Sequence, residues 1–262
     1  MITFNFKDKT AIVTGAGGGF GRSTARMLAQ CGARIVGVDR NAQSLAETMA
    51  ALPAIGGGHL TIVQDLRPAR AANDVIAKAM EHLPHLDILV NSAGVCHFTP
   101  ANKITPEQWD EVMEIDLKSL YFLAVAAAEA MDPQRGGRII NLGSNAGRKG
   151  RAFSAHYAAA KAGVANVTES LALAYGKKGI TINTVCPAVV LTDMWQQNFE
   201  ELGHITGKSA EDLVQNWIAA TPLQRLGTVE DVANLITFLA SDGAGFITGQ
   251  EINVCGGFML TC

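Results

Sequence analysis

Short β-branched runs alternate with longer alanine-rich stretches of helical period from one end of the chain to the other, the pattern of repeated βαβ units. Seven strands are predicted, at Thr10–Thr14, Arg34–Asp39, Leu60–Asp65, Asp87–Asn91, Arg138–Leu142, Ile180–Val185 and Glu251–Val254. Helices are predicted over about 19–31, 43–51, 69–82, 106–130, 154–177 and 229–240. Several strands are nearly continuous apolar runs, as in Ala11-Ile12-Val13 and Ile88-Leu89-Val90. A strand covered by helices on both faces needs that pattern, so the expected fold is α/β, a doubly wound, mostly parallel seven-stranded sheet. No Ser/Gly/Pro-rich linker, charge block or repeat interrupts the alternation, and residues 1–262 read as a single domain. The segment 193–226 is long for a bare connection and carries Trp195 and Trp217; it is expected to hold short helices that cap a site.

Composition narrows the function classes. A hydrophobic fraction of 48% over 262 residues argues for a sizeable core and against disorder. With 21 basic against 24 acidic residues the net charge is −3, which leaves no basic excess for nucleic acid or an anionic membrane. Five cysteines (Cys31, Cys96, Cys186, Cys255, Cys262) form an odd set without a C-x-x-C pair and read as buried free thiols in a reducing compartment. The opening Met1–Thr10 lacks the charged and apolar regions of a signal peptide, and no run of about 18 apolar residues occurs. A cytoplasmic location is the expectation. His82-x-x-His85 reads as a solvated helix end, so no metal is expected, and Arg22, Glu129 and the scattered Lys and Arg residues read as solvated faces.

Between the first strand and the first helix stands Thr14-Gly15-Ala16-Gly17-Gly18-Gly19-Phe20-Gly21. A turn that holds a pyrophosphate needs positive φ, close backbone approach and helix N-terminal amides aimed at the anion; Gly15, Gly19 and Gly21 supply these, and Phe20 adds its amide. Asp39 ends the second strand eighteen residues after Gly21, where a carboxylate accepts from both ribose hydroxyls of an adenosine and repels a 2′-phosphate. This favours NAD over NADP, while Arg40 beside it keeps a phosphate partner open. Asp65-Leu66, at the end of the third strand, suits an adenine amino group and ring, although an ordinary turn aspartate fits equally well.

Tyr157 and Lys161 lie four apart in a helical stretch and so project from one face. A free phenol titrates near ~10; a close ammonium favours phenolate and moves it toward the working range of a general base. Ser144 ends the fifth strand, at the edge where open α/β sheets bind ligands, and its hydroxyl can polarise a carbonyl.

Taken together, Thr14–Gly21, Asn91-Ser92-Ala93-Gly94, Ser144 thirteen residues before Tyr157-x-x-x-Lys161, and the stretch Asp242–Gly257 resemble the short-chain dehydrogenase/reductase family over the whole chain. The resemblance implies a Rossmann-type sheet, with Tyr157 as general acid/base, Lys161 lowering its pKa and holding the nicotinamide ribose, and Ser144 orienting the substrate oxygen. It implies Asn91, Ala93 and Gly94 beside the adenosine and ribose, and Pro187, Val190 and Thr192 at the carboxamide. This sequence departs from the family at Asp116, where an asparagine is usual; a carboxylate near Lys161 competes for its charge and moves the tyrosine pKa in a direction set by burial. Ala188 and Cys255 replace a common glycine and aspartate and read as packing variants.

The stretches Ser144–Arg151 and Thr192–Trp195 are similar to family members acting on sugar alcohols, ketoses and vicinal diols. A polyol needs several hydrogen-bond partners in a closed pocket, and Asn145, His97 and Trp195 are the candidate walls beside Ser144. The expected function is therefore NAD(H)-dependent oxidation of a polyol or diol, or reduction of the matching ketone. A 3-oxoacyl-(acyl carrier protein) reductase is the alternative enzyme; the resemblance gives it NADP and a basic docking face, and Asp39 and the charge balance lean against it. A non-catalytic nicotinamide-nucleotide sensor is the alternative outside enzymes, and the Ser144/Tyr157/Lys161 set leans against that. Apolar positions on more than one face of helices 106–130 and 154–177 point to subunit packing, and the resemblance implies a homotetramer.

Overall fold

A computed structural model describes residues 4–260, apart from the side chains at 193, 194 and 197; Met1–Thr3, Thr261 and Cys262 lie outside the described residues. The strands are β1 (Thr10–Thr14), β2 (Arg34–Asp39), β3 (Leu60–Val63), β4 (Ile88–Asn91), β5 (Gly137–Leu142), β6 (Ile180–Pro187) and β7 (Glu251–Val254). They form one sheet in the order β3-β2-β1-β4-β5-β6-β7 with every neighbouring pair parallel, the expected Rossmann-type arrangement. The helices are α1 (Gly19–Gln30), α2 (Ala42–Ala50), α3 (Ala71–Met80), α4 (Pro106–Met113), α5 (Leu120–Ala130), α6 (Ala155–Tyr175), α7 (Asp193–Thr206), α8 (Ala210–Ala220) and α9 (Val229–Ala240).

The apolar runs are explained by burial on both faces. In β1, Ala11 and Val13 pack with Leu28 of α1 and Ile236 of α9, while Ile12 between them packs with Val75 of α3 and Leu123 of α5; all seven are fully buried or nearly so. The strand order reverses between β1 and β4, so the loops at their carboxyl ends diverge and open a cleft. Polar side chains fix where the helices around that cleft begin. Asn41 caps α2, and Thr105 and Gln108 form a capping box at α4 with Pro106 in the first turn. Thr192 caps α7 and Thr228 with Asp231 caps α9.

Several boundaries differ from the sequence expectation. The predicted helix 106–130 is divided: a π-helical segment, Glu114–Ser119, separates α4 from α5. Such a turn carries one residue more than an α turn and is characteristic of functional positions. Here it turns Asp116 inward, 1% exposed. β3 ends at Val63, which leaves Asp65 and Leu66 in the loop beyond it, and α3 ends at Met80, before both His82 and His85. These histidines therefore share no helical turn; His85 lies 3.3 Å from Asp87, which also pairs with Arg135 at 2.9 Å. Among the described residues no group of three or more His, Cys, Asp or Glu side chains is placed to hold a metal.

The segment 193–226 holds α7 and α8, whose Phe199, Leu202 and Leu213 form a separate apolar cluster with Val189, Trp195 and Trp217. Cys31, Cys96, Cys186 and Cys255 are free; Cys186 is fully buried, and the other three, partly buried, follow α1, β4 and β7, where the chain leaves the core. Among the described residues no helix is long and apolar enough to cross a membrane.

Candidate active site

A cavity of about 590 Å³ opens at the carboxyl ends of the central strands, and its two halves differ in chemistry. One half is built on the glycine turn. Gly15 and Gly19 take positive φ (66° and 47°), and a Cβ on Gly21 would stand 2.2 Å from the Gly15 carbonyl oxygen. α1 starts after Gly18 with no side-chain cap and no acidic residue in its first turn, so its leading amides are left to face an anion in the cleft. Arg22 is not a solvated residue: it donates to the Gly17 carbonyl and, at 3.0 Å, to Thr48 Oγ1, bracing the turn from beneath. Asp39 accepts from the Gly17 amide and the Asn41 amide, both at 2.9 Å, which fixes its carboxylate at the rim of the same cavity. These features fit a dinucleotide with its pyrophosphate over α1 and its adenosine ribose at Asp39. Gly21→Ala is expected to lower stability by about 3 kcal/mol, because the clash is with backbone and no rotamer relieves it; thermal unfolding with and without cofactor measures it.

A smaller pocket of about 110 Å³ continues past Asp39 and is lined by Arg40, Asp65, Leu66, Ala93 and Gly94. Here the expected Asp65 contact to an adenine amino group meets competition: Arg67 donates to both carboxylate oxygens and holds the group below its ordinary pKa. Ala93 is fixed by its amide, which donates to Thr14 Oγ1 at 3.1 Å. Asn91 lines neither cavity. Its Nδ2 donates at 3.0 Å to Asn141, which donates to Thr168, itself 2.7 Å from Thr184; this buried polar chain ties β4, β5, α6 and β6 together. Pro187 and Thr192 line the large cavity, whereas Val190 is 1% exposed and bridges to Gly227.

Ser144, Tyr157, Lys161 and Asp116 come together where β5, α6 and the π segment meet. Ser144 caps the short turn Asn145–Arg148 through the Ala146 amide (3.1 Å) and hydrogen-bonds the Tyr157 phenol. Lys161, one helical turn on, places Nζ 5.5 Å from the Tyr157 ring centroid and donates to the Leu142 carbonyl at 2.9 Å. Its ammonium also lies 2.9 Å from Asp116 Oδ1, and Asp116 Oδ2 accepts from the Val95 amide. Gly94 is required beside this pair, since a Cβ there would stand 2.5 Å from Asp116 Oδ1.

The electrostatic outcome differs from the sequence expectation. Burial pushes the Tyr157 phenol well above its ordinary value; the neighbouring Cys96 thiol and the Asp116 carboxyl raise it further, and Ser144 opposes them. The nearby Lys161 does not offset this rise; its ammonium is engaged by a carboxylate 2.9 Å away. Burial likewise pushes the Asp116 carboxyl up, against the pull of Lys161. Cys96, lining the cavity, is raised to about 12 by burial and by Asp116, which keeps it a neutral thiol.

The other half of the cavity is dominated by apolar groups. Phe98, Phe153, Val189, Trp195, Leu202 and Trp217 line it, with Trp195 5.9 Å from Phe98 and 6.4 Å from Trp217, centroid to centroid. Trp195 and Asn145 are walls as expected from the sequence, but His97 is not: it turns to Glu111 at 3.4 Å, while its neighbours Cys96 and Phe98 face the cavity. Sequence reasoning missed Arg151 and Asn198, both of which line this half. Neither had a signal, since a lone loop cation and a helix-surface amide ordinarily face water.

Comparison with known proteins agrees with this geometry. A family profile described as enoyl-(acyl carrier protein) reductase matches residues 15–259. The 3-oxoacyl-(acyl-carrier-protein) reductase FabG of Escherichia coli (strain K12) is 36% identical over 259 residues, 98% of this chain and 99% of that one. The crystal structure of a glucose/ribitol dehydrogenase of this type from Brucella melitensis superposes with a TM-score of 0.89 at 30% identity, covering 99% of this chain and 100% of that one. That of levodione reductase superposes at 0.91 with 28% identity, covering 97% and 98%. The chain belongs to the short-chain dehydrogenase/reductase family, as an NAD(P)-dependent oxidoreductase of CH–OH and ketone groups.

Proposed function

We propose that the protein is an NAD(H)-dependent dehydrogenase of a secondary alcohol with a large apolar substituent on its carbinol carbon. The observation that carries this reading is one cavity joining an Asp39-rimmed glycine turn to the Ser144/Tyr157 pair and an aromatic wall. A nicotinamide cofactor held by the Gly15–Gly21 turn and Asp39 would supply the hydride acceptor for oxidation of the carbinol carbon. Tyr157, as phenolate, takes the hydroxyl proton as the ketone forms, and returns it in the reverse direction. Ser144 holds the reacting oxygen, and Lys161 keeps a positive charge beneath the phenol and reaches toward the ribose. Pro187 and Thr192 border the nicotinamide end; the cap, 193–226 with α7 and α8, excludes water. Exposed Trp109, Tyr121, Phe122 and Leu173 on α4, α5 and α6 support a homotetramer built on those helices.

Asp39 supports NAD: its fixed carboxylate suits two ribose hydroxyls and opposes a 2′-phosphate. Asp39→Ala is expected to lower the NAD-over-NADP ratio of kcat/KM at least tenfold, about 1.4 kcal/mol; an unchanged ratio removes Asp39 as selector. Arg40 in the adjoining pocket is then the residue that admits the phosphate. A polyol is supported less than an apolar alcohol, because aromatic and aliphatic groups outnumber hydrogen-bond partners on the wall. A second reading, reduction of 3-oxoacyl thioesters, is favoured by the E. coli relative, which matches over nearly the full length of both chains. Absorbance at 340 nm separates these, with NAD and NADP against aryl and alicyclic alcohols, polyols, diols and, in reverse, 3-oxoacyl thioesters. Selective oxidation of the apolar alcohols with NAD supports the proposal; selective thioester reduction with NADPH replaces it.

A further inference from the structure

We infer that the substrate carries a carboxylate a few bonds from its carbinol carbon, received by Arg151 and the Asn145 amide at the apolar end of the cavity. The inference rests on the reading of this cavity as a dehydrogenase site and names the substrate class: a hydroxy acid, or the matching oxo acid, with an aromatic or bulky aliphatic body.

Three observations carry it. First, Arg151 lines the cavity half-buried, and among the described residues no carboxylate pairs with it or acts on it electrostatically; the one charge-bearing partner it feels is Tyr157. A partly desolvated guanidinium without a counterion is costly, and a ligand carboxylate with fork geometry relieves that cost. Second, Arg151 Nη2 donates at 3.2 Å to Asn145 Oδ1, which fixes the orientation of that amide. The opposite edge, Nδ2, is then a donor that finds no partner, on a residue only 6% exposed and lining the same cavity. Asn198, 2% exposed and also in the lining, presents a second unpartnered Nδ2. Buried amide donors without acceptors are rare in folded proteins, and a ligand oxygen supplies what is missing.

Third, the charges that face this half of the cavity have one sign. Its described ionic lining residues are Arg151 and Lys208, whereas Asp39, the carboxylate in the lining, stands at the glycine turn. Glu201 of α7 is not among the lining residues; it accepts from the Phe98 amide at 3.0 Å, and its charge is felt at the Cys96 thiol nearby. Asn145 directly follows Ser144, so the anion site adjoins the oxygen that Ser144 and Tyr157 hold. The carboxylate therefore sits close to the reacting carbon, and the aromatic wall takes the remaining substituent. A thioester or a neutral polyol offers this cluster no charge.

The test pairs 3-hydroxy-3-phenylpropanoate with its methyl ester, which differ at the expected contact by the negative charge and one methyl group. Calorimetric titration into NADH-saturated protein reads binding without turnover, and oxidation with NAD reads the reaction. The acid is expected to bind at least tenfold more tightly than the ester. Arg151→Gln is expected to abolish that preference by weakening the acid at least tenfold while leaving the ester and NADH within twofold; Arg151→Lys recovers part of it. Equal or tighter binding of the ester, binding of neither probe, equal losses for both in Arg151→Gln, or a loss confined to NADH each overturns the inference. If Arg151→Gln does not fold, the wild-type comparison decides alone. Oxidation of both probes without a preference removes the anion site and leaves the dehydrogenase reading. Acid-selective binding without turnover does the reverse.

Discussion

Tyr157→Phe is expected to lose turnover by roughly 10² to 10⁴-fold, the range supplied by a positioned general acid/base, while cofactor affinity stays within a few-fold of the parent. Lys161 Nζ stands 5.5 Å from the Tyr157 ring centroid and Ser144 hydrogen-bonds the phenol, and the substitution keeps the ring and deletes only the hydroxyl. Among the described residues, the hydrogen bonds that fix Asp39 run to the Gly17 and Asn41 amides and do not involve the deleted atom. The measurement is kcat from absorbance at 340 nm beside a direct titration of NADH. A variant that turns over at close to the parental rate, or one that loses cofactor and turnover together, contradicts the role assigned to the phenol.

Asp116→Asn is expected to move the acid limb of the pH profile for alcohol oxidation downward by about 1 to 2 pH units, a tenfold change in the phenol's ionisation being worth about 1.4 kcal/mol. The sign follows from the geometry. Oxidation needs the phenolate, so the rate falls as pH drops through the phenol pKa, and that pKa stands high partly because Asp116 opposes a second negative charge. At the alkaline pH where the phenol ionises, Asp116 carries its charge, 2.9 Å from Lys161. The amide removes that charge and releases the ammonium to favour phenolate. The Val95 amide keeps an acceptor, so the local fold is preserved. An acid limb that stays in place or moves upward disproves the coupling. Asp116→Ala has a different consequence: it strands a buried ammonium, and about 3 to 5 kcal/mol of stability is expected to go with it.

Legibility in the sequence followed the distance over which each feature is determined. Tyr157 and Lys161 share a helix face by spacing alone, and the glycine turn is defined by residues adjacent in the chain, so both were readable without a structure. Strands β1, β2 and β7 match their predicted bounds for the same reason. What escaped was set by tertiary direction. Asn91 belongs to a recognisable segment, yet its side chain points into the polar chain through Asn141 and Thr168 rather than into the cleft. His97 sits between two cavity-lining residues and faces the other way. Arg151 looks like any loop cation until the fold encloses it. The rise in the Tyr157 pKa was equally hidden, because the balance among burial, Lys161 and Asp116 depends on separations of a few ångströms.

The π-helical segment makes the length of the chain between α4 and α5 part of the active site. An α-helix advances about 1.5 Å and rotates about 100° per residue. Excising one residue from Glu114–Ser119 would let the two helices fuse into a regular rod, and the α4 side would swing by that angle relative to α5. Trp109 would leave its present face, and the carboxylate that now meets Lys161 would point elsewhere while every catalytic side chain remained in the sequence. Such a variant, set beside this chain, would match it at Ser144, Tyr157 and Lys161 above a single gap, and the gap would be the informative difference.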